Sequence, residues 1–208
     1  MRITTPLRHT FAVAAATAAV VFAAPPSSAA DGAPASTATE QTTLPLHSIA
    51  ALSAECITTA DLVAAAKWGT GSPIDDPTRE QQVLDAVAAQ AQQLGADPDE
   101  VRQVFRDQIE ANKIVQRGLY QRWTAHPDQA PTTRPDLGVV RQEINRINKE
   151  LVQALADTAS DRAGFFCRPE LALAATQVHY DSHLDGLHTK ALARSLRSVC
   201  TDNQVTRR

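Results

Sequence analysis

The chain has 208 residues, of which 43% are hydrophobic and 4% aromatic, with 20 Lys and Arg against 23 Asp and Glu. A formal charge of −3 and the lack of any basic run argue against a nucleic-acid binder or a protein drawn to an anionic membrane. The length suits one domain with a substantial core.

Residues 1–30 read as an export signal: Arg2 and Arg8 form a basic start, Phe11–Ala24 an apolar middle, and Ser28-Ala29-Ala30 a small-residue cleavage site. The apolar middle is too short to span a bilayer, so no membrane attachment is expected after cleavage near Ala30. The mature protein is then secreted or periplasmic. Losing 30 residues from 208 leaves 178, and losing two arginines with no acid moves the charge from −3 to −5. In an oxidising compartment the three cysteines predict one disulfide and one free thiol. Cys167 and Cys200 flank the C-terminal third and are taken as the pair. Cys56 lies in an apolar helical stripe and is taken as the free thiol.

Residues 31–44 are small, polar and Pro-containing, the composition of a flexible linker. From Pro45 the pattern turns helical: Leu46, Ile49, Leu52, Cys56, Val63 and Ala66 mark one face of a first helix reaching about Trp68, with Thr58-Thr59 expected to loosen its middle. A Gly/Ser/Pro turn follows. Asp76-Pro77 then opens a second helix, with aspartate as cap and proline in the first turn, ending near Leu94 before Gly95. Asp97-Pro98 repeats the device and starts the longest helix, to about Thr124, with Val101, Phe105, Gln108, Asn112, Val115, Leu119 and Trp123 on its inner stripe. The Pro-rich connection His126–Asp136 is expected to be non-helical.

Asp136 caps a fourth helix whose core face is Leu137, Val140, Ile144, Ile147, Leu151 and Leu155. After a break at Ala163-Gly164, Pro169–Asp181 and Leu184–Val199 make two shorter helices. No strand alternation and no fixed repeat occur. The expected architecture is an all-α helical bundle over residues 45–202, with a short tail at 203–208.

Several polar residues interrupt these stripes. Lys67 ends the apolar stripe of Leu62, Val63 and Ala66, and Cys56 lies eleven residues earlier on the same face. Asp76, Arg79, Glu80 and Val83 share one face of the second helix. Asn112 and Gln116 are one turn apart on the third, and Arg141 borders the inner face of the fourth. Burying such groups without partners costs about 1–3 kcal/mol each, and more for charges, so they need one another or a ligand. Each taken singly can be a satisfied structural group. Together, the inward surplus of Lys and Arg points to a small polyanion.

The runs VAAAKW, SPIDDPTREQQ, DPDEVRQVFRDQIEANKIVQ, PDL, Arg141 and INRIN, taken in order, resemble the secreted gamma subclass of chorismate mutases, of the mycobacterial type. The likeness covers almost all of the mature domain, including the Cys167–Cys200 spacing of that subclass's disulfide and the C-terminal run SHLDGLHTKAL. It implies a Claisen rearrangement of chorismate to prephenate with no metal or cofactor, and a possible homodimer. It also implies roles. Lys67 and Gln116 are matched to donors for the breaking ether oxygen. Arg79 and Arg141 are matched to carboxylate ligands, with Asp76, Glu80 and Asn112 beside the substrate. Val83 stands where mycobacterial relatives place a glutamine.

The likeness departs at Cys56, where the family places an arginine that binds carboxylate. A neutral thiol cannot replace a guanidinium fork. Either Lys113 or Arg117 on the third helix supplies the missing cation, or activity is weakened. Two other readings stay open: a secreted binding or effector protein of the same fold, and an isochorismate-pyruvate lyase relative. His179 and His183 have the i, i+4 spacing of a metal pair, but with no further ligand pattern the region reads as a solvated face.

Overall fold

The computed structural model describes residues 44–201. The expected export signal, the linker up to residue 43 and the C-terminal tail lie outside the described residues. Those described form α1 (His47–Lys67), α2 (Pro77–Gln93), α3 (Pro98–Ala125), α4 (Leu137–Asp157), a single turn α5 (Ala159–Arg162), α6 (Cys167–Asp181) and α7 (Gly186–Ser195), with no strand among them. The fold is all-α, as the sequence pattern requires.

Aspartates start four of these helices. Asp76 Oδ1 accepts from Arg79 N at 3.0 Å, Asp97 Oδ1 from Asp99 N at 2.8 Å, Asp136 Oδ1 from Gly138 N at 2.7 Å, and Asp185 Oδ1 from His188 N at 2.9 Å. Each satisfies a donor that the first helical turn leaves open, a contribution of about 1 kcal/mol. Gly95 stops α2 at a φ of 72°, in the left-handed region that costs other residues strain.

The α1 helix is the centre of the bundle. It packs on α3 and α4 at the front and on α6 and α7 behind, while α2 closes over α3 and α4. Ile49, Ala50, Ile57, Ala60 and Ala64 of α1 are fully buried. By length and hydropathy α1 qualifies as a membrane span, but 61% of its most apolar window is buried inside the fold. Most of its apolar surface is covered by protein.

The Cys167–Cys200 disulfide forms, joining the start of α6 to the segment after α7, and Cys56 is free and buried. On the chain-entropy account a closed loop of this size contributes roughly 3–4 kcal/mol. Arg162 of α5, with 2% of its surface exposed, ties the same region together. It donates to the carbonyls of Val199 at 2.9 Å and Leu155 at 3.1 Å, and to Glu100 Oε2 at 2.9 Å.

The structure corrects several expectations. Thr58 and Thr59 do not loosen α1: their hydroxyls donate to the carbonyls of Glu55 and Cys56, three residues back, and the helix continues. Leu62 is 47% exposed and lies off the inner stripe. The Pro-rich connection contains a 3-10 turn at Pro127–Gln129, whose first position tolerates proline. The last helix starts at Gly186 because Asp185 caps it, leaving Ser182–Asp185 as a turn. The fourth helix divides its apolar residues. Val140, Ile147, Leu151 and Leu155 enter the core, whereas Leu137 and Ile144 are half-buried along a pocket.

Candidate active site

That pocket lies between α1, α2, α3 and α4. Lys67 comes from the last turn of α1, and Asp76, Arg79 and Glu80 from the first turn of α2. The middle of α3 supplies Asn112, Lys113 and Gln116, and Arg141 comes from the second turn of α4. Cys56, Val63, Val83, Phe105, Ile109 and Ile144 form much of the apolar wall. Four cations face two carboxylates, so the pocket is positive by two charges.

The start of α2 is built by a reciprocal cap. Asp76 Oδ1 accepts from Arg79 N, and Glu80 Oε1 accepts from Asp76 N at 3.1 Å. The other Glu80 oxygen binds Lys113 Nζ at 2.9 Å, and Lys113 also meets Glu110 at 2.9 Å and Asp75 at 3.3 Å. Burial works against the Lys113 charge, but Glu110 and Glu80 outweigh it and hold its pKa above the ordinary lysine value. Lys113 is therefore fully engaged by the protein. Arg117 forks onto Asp75 at 2.7 and 2.8 Å and does not line the pocket, so it fails as a replacement cation.

The other three cations have no carboxylate partner among the described residues. Lys67 Nζ donates to the Pro73 carbonyl at 2.9 Å, and Arg79 makes one long contact of 3.4 Å to Gln82. Arg141 is exposed and makes no hydrogen bond or ion pair within the described protein. Burial pulls the Lys67 pKa below its usual value and the Arg141 charge adds to the pull, against the opposing influence of Asp76. An incoming anion would act with Asp76, favouring the charged ammonium against both effects.

The neutral groups are linked as well. Gln116 Nε2 donates to Asn112 Oδ1 at 3.2 Å, and Asn112 Nδ2 donates to the Cys56 carbonyl at 3.1 Å. Burial, then the Glu55 carboxylate, pushes the Cys56 thiol up to about 12, although its contact with Asn112 acts the other way. The thiol is neutral at ordinary pH.

The model of the family "Chorismate mutase type II" matches residues 47–117, which contain α1, α2 and most of α3. The secreted chorismate mutase of Mycolicibacterium smegmatis is 36% identical over 163 residues, covering 78% of this chain and 90% of the relative. The chain belongs to the chorismate mutase family. The secreted chorismate mutase of Mycobacterium tuberculosis is 33% identical over 147 residues, 71% of this chain and 74% of that one. Among solved structures, chorismate mutase from Burkholderia phymatum superposes with a TM-score of 0.72 at 33% identity, covering 76% of this chain and 97% of its own.

Within the chorismate mutase fold, the eight pocket residues singled out from sequence, Cys56, Lys67, Asp76, Arg79, Glu80, Asn112, Gln116 and Arg141, all line this one cavity. Gln108, placed on the inner stripe of α3, and Asn148, within the INRIN run, line it too, although sequence reasoning gave neither a site role. Asn148 had a usable signal. Leu137, Arg141, Ile144 and Asn148 follow one another at helical spacing on α4. Gln108 is 3% exposed and gives its amide N–H to Ser53 Oγ at 2.7 Å.

The histidine region needs correction. α6 ends at Asp181 and His183 sits in a turn at a φ of 50°, so the i, i+4 pair with His179 does not form. His188, further along the same C-terminal run, is not solvent-exposed. It is buried between Asp61 at 3.0 Å and Asp185 at 2.7 Å. The Asp61 hydrogen bond, opposed by burial and helped by Asp185, raises its pKa to about 9.

Proposed function

We propose that the chain is an exported chorismate mutase that converts chorismate to prephenate, with residues 45–202 as its catalytic domain. Lys67, Arg79 and Arg141 carry this reading: three cations without carboxylate partners, set around the Gln116 amide. Export is supported by the signal-like residues 1–30 and by the relatives named as secreted.

Chorismate carries two carboxylates and an ether. The rearrangement breaks the ether C–O bond as a new C–C bond forms within the same molecule, with six electrons moving in a ring. No proton, nucleophile or cofactor enters the bond changes. A protein can speed such a step by holding the compact conformer and by stabilising the charge that grows on the ether oxygen. In this reading Arg79 and Arg141 take carboxylates, while Lys67 and Gln116 donate to the ether oxygen. Asp76 keeps one carboxylate oxygen without a protein partner for the substrate side. Glu80, with both oxygens engaged, has only its remaining lone pairs for a hydroxyl.

The neutral Cys56 thiol favours a second reading, a binding protein that keeps the pocket and has lost turnover. Incubation of the mature protein with chorismate, and separately with isochorismate, followed by product identification, tests both. Prephenate from chorismate is the expected result. Salicylate and pyruvate from isochorismate, with no prephenate, would move the chain to lyase chemistry. Chorismate binding without any product would establish the binding protein.

A further inference from the structure

The amides of Asn112 and Gln116 are joined head to tail, and one end of the chain has a fixed polarity. Asn112 Nδ2 donates to the backbone carbonyl of Cys56 at 3.1 Å, and a carbonyl only accepts. If the Asn112 amide turned over, Oδ1 would stand 3.1 Å from that carbonyl oxygen, two lone-pair atoms with no hydrogen between them. Thr59 Oγ1 donates to the same carbonyl at 2.7 Å, which keeps it an acceptor site on the α1 surface. Asn112 Oδ1 is thereby turned toward Gln116.

The same constraint passes one residue further. Facing Oδ1, the Gln116 amide is stable only with Nε2 toward it, the 3.2 Å contact observed. One N–H of Nε2 is used there, the second meets no acceptor among the described residues, and Gln116 lines the pocket. Gln116 Oε1 is buried with no hydrogen-bond partner among the described residues. A glutamine without such a neighbour can offer a ligand either its oxygen or its nitrogen. Here the choice is made by the main chain of α1.

We propose that Asn112 is a positioning residue, which acts through Gln116 by holding that amide in the orientation that offers an N–H to the substrate. The kinetic consequences rest on the chorismate mutase reading above; the orientation itself does not. Asn112→Leu removes the acceptor and frees the Gln116 amide to turn. Asn112→Thr retains the relay, because a hydroxyl can donate to the Cys56 carbonyl while accepting from Gln116.

The test is a double-mutant cycle on folded proteins, with thermal unfolding as the control. Asn112→Leu is expected to lower kcat about tenfold, a fraction of the loss from deleting a preorganised donor, with KM changed less than about twofold. Asn112→Thr should recover most of what Asn112→Leu loses. In a Gln116→Ala background, Asn112→Leu should cost nothing further. A raised KM at unchanged kcat, or additive losses, would overturn the proposal. A second arm needs no turnover. The side-chain 15N–1H pair of Gln116, assigned by its loss in Gln116→Ala, should show its hydrogen-bonded proton moving upfield in Asn112→Leu and staying in place in Asn112→Thr. Unmoved resonances in Asn112→Leu would refute the fixed orientation even in an active enzyme. If the parent makes no prephenate, the mutase reading fails while this arm still decides the proposal.

Discussion

Two sets of charged side chains run through the molecule, and they differ in where their partners come from. Away from the pocket, Arg162 meets Glu100 and two carbonyls, Arg194 meets Asp107, and His188 meets Asp61 and Asp185. At the pocket's α2–α3 wall Lys113 is held by three carboxylates. Across from it, Lys67 and Arg141 have none among the described residues. A buried cation whose partners lie within the fold resists removal because the partners are left stranded. A cation without partners adds little to stability and is available to a ligand. Charge alone does not mark a site here; a pocket-lining cation with no carboxylate partner among the described residues does.

Substitutions on each side of this divide should separate stability from activity. The largest effect is expected at Arg162→Met, which strands the Val199 and Leu155 carbonyls and should cost about 2–4 kcal/mol of unfolding free energy. Chemical denaturation reads this loss, and the rate of the remaining folded enzyme should be near that of the parent. Lys67→Ala should do the reverse. It is expected to lower kcat/KM at least about a hundredfold, the scale of one lost preorganised donor, with the unfolding midpoint nearly unchanged. A near-native rate in that variant would remove Lys67 from the mechanism.

Cys56→Arg extends the unpartnered set by one. It places a guanidinium where the pocket wall is neutral, and a gain in kcat/KM of about tenfold is expected, the equivalent of roughly 1.4 kcal/mol. A loss of strong parental activity in a folded variant would show that the site depends on a neutral group there. The last test concerns His188. Its folded pKa of about 9 lies above the ordinary 6.5, so its stabilisation is complete below pH 6.5 and is lost as pH rises through 9. The melting temperature should therefore decline across that window, and His188→Gln should flatten the decline.

Much of the scaffold was legible because its signals are local. Asp76-Pro77, Asp97-Pro98 and Asp136 announce helix starts through contacts within one turn, and Gly95 announces a stop by its backbone freedom. The two faces of α4 were not separable in this way. Periodicity reports that Leu137 and Ile144 turn inward with Ile147 and Leu151, but not that the first two look into a cavity. Arg162 and His188 were missed for a related reason. Their partners lie 62 and 127 residues away in sequence, at Glu100 and Asp61, and no local pattern encodes such a pairing. The Lys67–Arg79–Gln116–Arg141 constellation stood out as polar interruptions of the helical stripes, and the spaced motifs gave its members their roles. Arg117 shows the limit of that route: its sequence position was right for the pocket, and Asp75 draws it away.

The free cysteine also bears on the order in which the chain must fold. Three thiols in an oxidising environment allow three possible pairings, and only Cys167 with Cys200 is native. A thiolate is the species that attacks a disulfide, and Cys56 in the finished fold is both buried and held protonated. The bundle thus protects its own cross-link once α1 is packed. Before that moment α1 is the hazard, because its exposed thiol competes for either partner. Packing of α1 against α3 and α4 before the cross-link closes would therefore guard against mispairing, a task for the helix that also supplies Lys67.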